Sequence, residues 1–198
     1  MAGMIILDRS FILDYLDSLR CDIDTIEDYF TDELIEIYRI LLEARLKNRR
    51  VFLCGNGGSS CVASHISQDL VKMCYIDSTC LTDSIPTITA ISNDISYNKI
   101  FTEQLKILAK PDDILIVFTG SGNSKNILNA LTYAKYNNMK IISIVGTDGG
   151  ELLSKSPICS GQVTIHIEDD MQKSEDLFVA IFHILIQKLC IKNDEEDK

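Results

Sequence analysis

Unbroken apolar runs occupy Val51–Cys54 and Ile114–Phe118, and Met139–Val145 repeats the pattern. A short run without polar alternation is the mark of a strand covered on both faces, as in a parallel sheet clothed by helices. Val163–Ile167 adds a last short strand. Elsewhere the apolar spacing becomes helical. Ile23, Ile26, Tyr29, Phe30, Leu34, Ile35, Ile37, Tyr38 and Leu41 form a wide stripe, and two helices are predicted over 8–19 and 23–48. Further helices are predicted after the turn at 55–59, over about 98–109, over 125–136 and over 172–190, the last with Leu177, Phe178, Ile181, Ile184, Leu185 and Leu189 on its apolar side. Ile85–Ile91 reads as a strand end followed by a short helix, Ser92–Tyr97 as a polar loop and Pro111–Asp113 as a turn. Strands alternating with helices, joined by right-handed crossovers, give an α/β fold with a parallel sheet.

Two of the strand ends run into turns rich in small residues. Val51–Cys54 is followed by Gly55-Asn56-Gly57-Gly58-Ser59, and Ile114–Phe118 by Thr119-Gly120-Ser121-Gly122-Asn123-Ser124. Free N–H groups at a helix start, with the helix dipole behind them, make an anion pocket. The second turn adds three hydroxyls and is the stronger phosphate candidate; the plainer alternative is a helix N-cap by Ser121 or Asn123 with no ligand. Neither turn carries the dinucleotide fingerprint or a P-loop lysine. Ligands of such sheets bind beyond the carboxyl ends of the strands, so the loops at 55–59, 93–97 and 119–124 are expected to meet there.

The chain has three histidines, and two stand at helical spacing from a carboxylate: His65 with Asp69, four apart, and Glu175 with His183, eight apart. Two such pairs allow a tetrahedral zinc site or an acid/base pair for proton transfer; unrelated surface carboxylates are the plainer reading. His166 is read as structural.

Composition narrows the partners. The 198 residues are 46% hydrophobic and 24% charged, ordinary for a globular protein, and suffice for one domain with a full core. A net charge of −10 argues against nucleic acid, which demands a basic surface, but not against a small phosphorylated ligand held by backbone N–H groups. Seven cysteines without a C-x-x-C pair read as reduced thiols of a cytoplasmic protein, with Cys54 and Cys61 expected to be buried. No apolar run is long enough to span a membrane and no signal peptide is recognisable. The start, Met1-Ala2-Gly3-Met4, reads as an expression scar ahead of a native Met4, and the acidic tail 192–198 is expected to fray.

Taken together, G-N-G-G-S followed by A-S-H-x-x-x-D, the loop S-N-D-x-S-Y, and G-S-G-N-S before a helix resemble the sugar isomerase (SIS) domain, and within it the phosphoheptose isomerases. The resemblance covers nearly the whole chain. It implies a single SIS domain over 1–198, with a helical extension over about 8–48 used in oligomerisation and an α/β core over about 50–191. The fold would be a three-layer α/β/α sandwich around a five-stranded, mostly parallel sheet. It also implies a homotetramer with active sites at subunit interfaces, and interconversion of sedoheptulose 7-phosphate with D-glycero-D-manno-heptose 7-phosphate. By position, Thr119, Gly120, Ser121 and Ser124 would hold the phosphate. Asn56, Gly57, Ser59, Asn93, Asp94 and Gln172 would line the sugar, and His65, Asp69, Glu175 and His183 would fill the catalytic and zinc-binding positions. Better-studied members have glutamate at the place of Asp69 and glutamine at that of Glu175, so the reach of the first carboxylate is shorter here by about 1.5 Å, one bond length. Other outcomes of the same resemblance are a sugar-phosphate sensor, an adaptor for a replication initiator, or an isomerase of another phosphosugar.

Overall fold

Each central strand sends alternate side chains to opposite faces, and both faces are covered. Val51 and Leu53 of β1 (Val51–Cys54) point into one apolar cluster, Phe52 and Cys54 into another. β3 (Ile114–Thr119) divides likewise, with Ile114, Ile116 and Phe118 on one side and Leu115 and Val117 on the other. β2 (Ser78–Cys80), β4 (Lys140–Val145) and β5 (Gln162–His166) complete a five-stranded sheet in the order β2-β1-β3-β4-β5, all parallel. This computed structural model describes residues 8–155, 162–167 and 171–190. The expected scar, the acidic tail and Cys159 lie outside them.

Three helices cover the first face: α1 (Arg9–Lys47), α2 (Gly58–Cys74) and α7 (Met171–Leu189). The second carries α4 (Ile100–Leu108) and α5 (Lys125–Tyr136), with α3 (Ile85–Asp94) and the short α6 (Gly150–Lys155) at its margin. The result is the expected three-layer sandwich.

The N-terminal region is one helix of 39 residues, where two were expected. The polar Arg20-Cys21-Asp22 interrupts the apolar stripe, but it contains neither glycine nor proline and nothing there breaks the backbone ladder. The ends are well marked: Asp8 accepts from the Phe11 N–H at 2.9 Å, and Asn48 takes the left-handed conformation that closes the helix. α1 enters the core mainly through its C-terminal half, at Ile37, Ile40, Leu41 and Ala44, with Ile26 buried ahead of them. Nearer the start, Phe11 is 63% and Ile23 50% exposed.

Ile85–Asp94 is wholly helical, correcting the expected strand end and placing Asn93 and Asp94 in a last helical turn instead of a loop. A proline in its first turn is compatible with a helix start. A 3₁₀ turn, Tyr97–Lys99, leads into α4. α6 was not anticipated. Cys54, Cys74 and Cys80 are buried, whereas Cys61 is exposed, because it lies off the α2 stripe of Ser59, Val62, Ala63 and Ile66. Among the described residues no helix is long and apolar enough to cross a membrane.

Candidate active site

α2 and α7 lie side by side and run in the same direction. Three rungs fix this register: Ser59 meets Glu175, His65 meets His183, and Cys74 meets Cys190. The start of α7 crosses the turns that leave the strand ends, and glycine makes room for it. A Cβ on Gly58 would overlap the Glu175 carboxylate, and one on Gly120 would overlap the Met171 thioether.

At the middle rung, His65 Nε2 and His183 Nε2 are 3.0 Å apart, and Asp69 Oδ2 lies 3.7 Å and 3.8 Å from them. The carboxylate is buried, while His65 is exposed and His183 half-buried. Without a cation, one imidazole nitrogen must donate to the other. The three atoms also suit a metal ion. From the separations 3.0, 3.7 and 3.8 Å, one point lies about 2.0 Å from all of them, the bond length of imidazole and carboxylate ligands to a small divalent metal, roughly 2.0–2.2 Å. This group can therefore hold a metal.

Glu175 stands apart from that group. Its Oε1 accepts a hydrogen bond from the Ser59 hydroxyl at 3.2 Å, beside the first turn of α2. The carboxylate lies against Gly58, the first residue of α2, where the N-cap Gly57 contributes no side-chain cap and the positive end of the helix dipole favours a negative group. Gln172 is exposed in the first turn of α7.

Of the three loops expected to meet, Asn56 joins the first two, and it reaches the first turn of α5, just beyond the third. Its Oδ1 accepts from the Tyr97 hydroxyl at 2.9 Å and from Asn126 Nδ2 at 2.8 Å, while its own Nδ2 donates to Asn126 Oδ1 at 3.0 Å. Asn126 and Tyr97 are the residues that the sequence reading overlooked. Asn126 lies two residues beyond the serine-rich turn, and Tyr97 closes the S-N-D-x-S-Y stretch, but only the structure shows them holding the glycine turn. Asn93 and Asp94 are exposed, and the Asn93 amide donates to Asp94 Oδ1 at 2.7 Å.

In the second turn, Thr119 Oγ1 accepts from the Gly122 N–H at 3.2 Å and Ser121 Oγ from the Asn123 N–H at 3.3 Å. Gly122 has a φ of +63° and packs against the Gly149 carbonyl. The expected alternative of capping by Ser121 or Asn123 is not what is seen. Ser124 is the N-cap of α5 and makes no side-chain cap bond, and Asn123 Oδ1 accepts from the Glu151 N–H at 2.8 Å, tying the turn to α6. His166 Nε2 lies 2.6 Å from the Thr147 carbonyl oxygen, a structural contact. A separate cleft of about 740 Å³ lies between α2, the edge strand β2 and α4, and none of the candidate residues lines it.

Residues 14–146 match the family profile of the SIS domain. A phosphoheptose isomerase of Buchnera aphidicola is 35% identical over 160 residues, which cover 78% of this chain and 80% of that protein. One from Shewanella sp. (strain ANA-3) is 29% identical over 191 residues, covering 92% and 95%. The solved phosphoheptose isomerase of Francisella tularensis superposes with a TM-score of 0.87 at 26% identity, over 94% of this chain and all of that one. With this sheet order, these strand-end turns and this extent of match, the chain belongs to the phosphoheptose isomerase family of SIS-domain proteins.

Proposed function

We propose that the protein is an aldose–ketose isomerase that interconverts sedoheptulose 7-phosphate and D-glycero-D-manno-heptose 7-phosphate through an enediol, the first step toward nucleotide-activated heptose. The observation that carries this reading is the convergence of two imidazoles and two carboxylates from α2 and α7 next to the turns at the strand ends. Thr119, Gly120, Ser121 and Ser124 bind the phosphate with hydroxyl and N–H donors. Gly57, Ser59, Asn93, Asp94 and Gln172 line the sugar, and Asn56, whose amide is already bonded to Tyr97 and Asn126, keeps the glycine turn in shape.

The two carboxylates divide the work. Asp69 faces both imidazoles, which suits a ligand. Glu175 is outside that group and is oriented by Ser59, which suits a base. Glu175 takes the proton from carbon 1 of the ketose and returns it to carbon 2. The proton on oxygen is exchanged at the His65–His183 pair. His65, Asp69 and His183 would hold zinc. Bound there, the ion supplies Lewis-acid polarisation of the sugar carbonyl. The two uses of the imidazoles compete, so metal content measured alongside turnover separates them.

The exposed apolar residues on the first half of α1, among them Phe11, Ile12, Leu13 and Leu16, support its use in a homotetramer with active sites at the subunit interfaces. The proposed activity places the protein in the cytoplasm.

The deciding experiment is an NMR time course with sedoheptulose 7-phosphate, run with added zinc and after chelation. Appearance of the aldose establishes the isomerase, and loss of rate on chelation establishes the metal's part. No product under either condition, with phosphate ligands still raising the melting temperature, would replace this reading with a sensor or adaptor. His183→Gln is expected to abolish turnover with the assembly unchanged; rates like those of the wild type would remove His183 from the mechanism.

A further inference from the structure

The lowest rung between α2 and α7 is made of two thiols. Cys74 is the last residue of α2, and Cys190 follows the last residue of α7. Their sulfur atoms are 3.1 Å apart, closer than the ~3.5–4.0 Å at which even the smaller carbon atoms settle in non-bonded contact. The two ends differ in access, since Cys74 is buried and Cys190 is half-buried. Arg45 of α1 lies alongside, its guanidinium donating to the Leu189 carbonyl at 2.9 Å, and its positive charge offsets a small part of the rise that burial imposes on the Cys74 thiol.

We propose that Cys74 and Cys190 are a dithiol oxidation site, closing to an intramolecular disulfide when a hydroperoxide reaches Cys190 and thereby tying α2 to α7 beneath the catalytic cluster.

The chemistry follows from the difference in access. The Cys190 thiolate attacks a peroxide oxygen, the O–O bond breaks, and Cys190 becomes a sulfenic acid. The Cys74 sulfur then attacks the Cys190 sulfur, the S–O bond breaks, and hydroxide leaves as water with the Cys74 proton. With hydrogen peroxide, two thiols give up two electrons and two protons, and the oxidant becomes two molecules of water. Burial first, and then the neighbouring Cys190 thiol, push the Cys74 thiol up to about 12, so Cys74 is the resolving partner and not the first to react. Oxidation of Cys190 removes that neighbour's share of the effect. The bridge would close a loop across 116 positions of sequence, and a link over so long a loop removes much freedom from the unfolded chain.

The test treats the full chain, and its Cys190→Ser and Cys74→Ser variants, with hydrogen peroxide. Free thiols are then alkylated and the peptides mapped by mass spectrometry. The expected result for the wild type is a cross-linked pair of peptides carrying Cys74 and Cys190, lighter by two hydrogen atoms and released by dithiothreitol, with a raised melting temperature in the oxidised protein. Cys190→Ser should show neither the cross-link nor the shift. Because Cys190 is half-buried, that variant carries the test even if Cys74→Ser does not fold. Cys190 oxidised to sulfinic acid while Cys74 remains a free thiol would overturn the proposal, as would cross-links running only through the exposed Cys21 or Cys61.

Discussion

Ser143, in the middle of β4, is fully buried, and its hydroxyl has no hydrogen-bond partner among the described residues. A buried donor left unpaired costs free energy with nothing in return. Ser143→Ala should therefore raise stability by about 1 kcal/mol in urea unfolding; a loss of stability would mean that the hydroxyl has a partner in solution. Asp113 is the opposite case. Its carboxylate accepts from the Arg50 N–H at 3.0 Å and the Lys110 N–H at 2.8 Å, joining the turn before β3 to the start of β1. Asp113→Ala strands both donors and should cost roughly 1–3 kcal/mol by the same measurement. In the site, the two carboxylates should fail differently. Asp69→Asn should weaken the binding of added zinc, while Glu175→Gln should bind zinc as the wild type does and lose turnover. Equal weakening in both variants would return Glu175 to the ligand set.

Among the elements, α1 is anchored at its C-terminal end. Glu43 lies between Lys47 of its own helix and Lys140 of β4, and these two ammonium groups hold its carboxyl at about 2, below the ordinary 4.5. A depressed carboxyl pKa stabilises the fold above its unfolded value and ceases to do so as pH falls through the folded one. The stability difference between wild type and Glu43→Gln should therefore be complete near neutral pH and shrink progressively from pH 4.5 toward 2. Glu43 is open to solvent, so the effect should stay below about 1 kcal/mol and weaken with salt. At the other end of α1, polar substitution of Leu13 and Leu16 together should lower the assembled mass seen by light scattering while leaving the fold intact. An unchanged mass would show that this face is not an interface.

Across the whole molecule, the layers meet at an aromatic cluster. Phe118 of β3 packs edge-on against Phe182 of α7, with ring centres 5.2 Å apart, and Phe178 lies 5.9 Å away. Phe182→Ala empties a fully buried volume and should cost about 3–5 kcal/mol, loosening α7 and with it His183. The central strands could be recognised in the chain, because residues buried on both faces write an unbroken apolar run, and so could the His65–Asp69 pair, because one helix sets its spacing. The continuity of α1 was hidden by a polar stretch that interrupts the apolar stripe without breaking the helix. α3 was misread because Ile-Pro-Thr-Ile-Thr-Ala-Ile mixes β-branched residues with near-alternation, and the helix it forms has no fully buried residue to impose a period of 3.6. The role of Ser59 in orienting Glu175, and of Asn126 in holding Asn56, depends on packing between segments 116 and 70 residues apart, which no local pattern encodes.

That same long separation dictates an order of events in biogenesis. His65 and Asp69 emerge from the ribosome well before His183, which follows His65 by 118 positions. Domains generally fold as units during or after synthesis, so α2 waits, with half of its chemistry in place, until the last strand is paired and α7 has docked. Capture of the proposed metal would then be the final step of maturation. A chain stalled before α7 would carry two of the three ligating side chains and bind the ion weakly, and the tightly loaded, competent site would serve as the signature of a finished molecule.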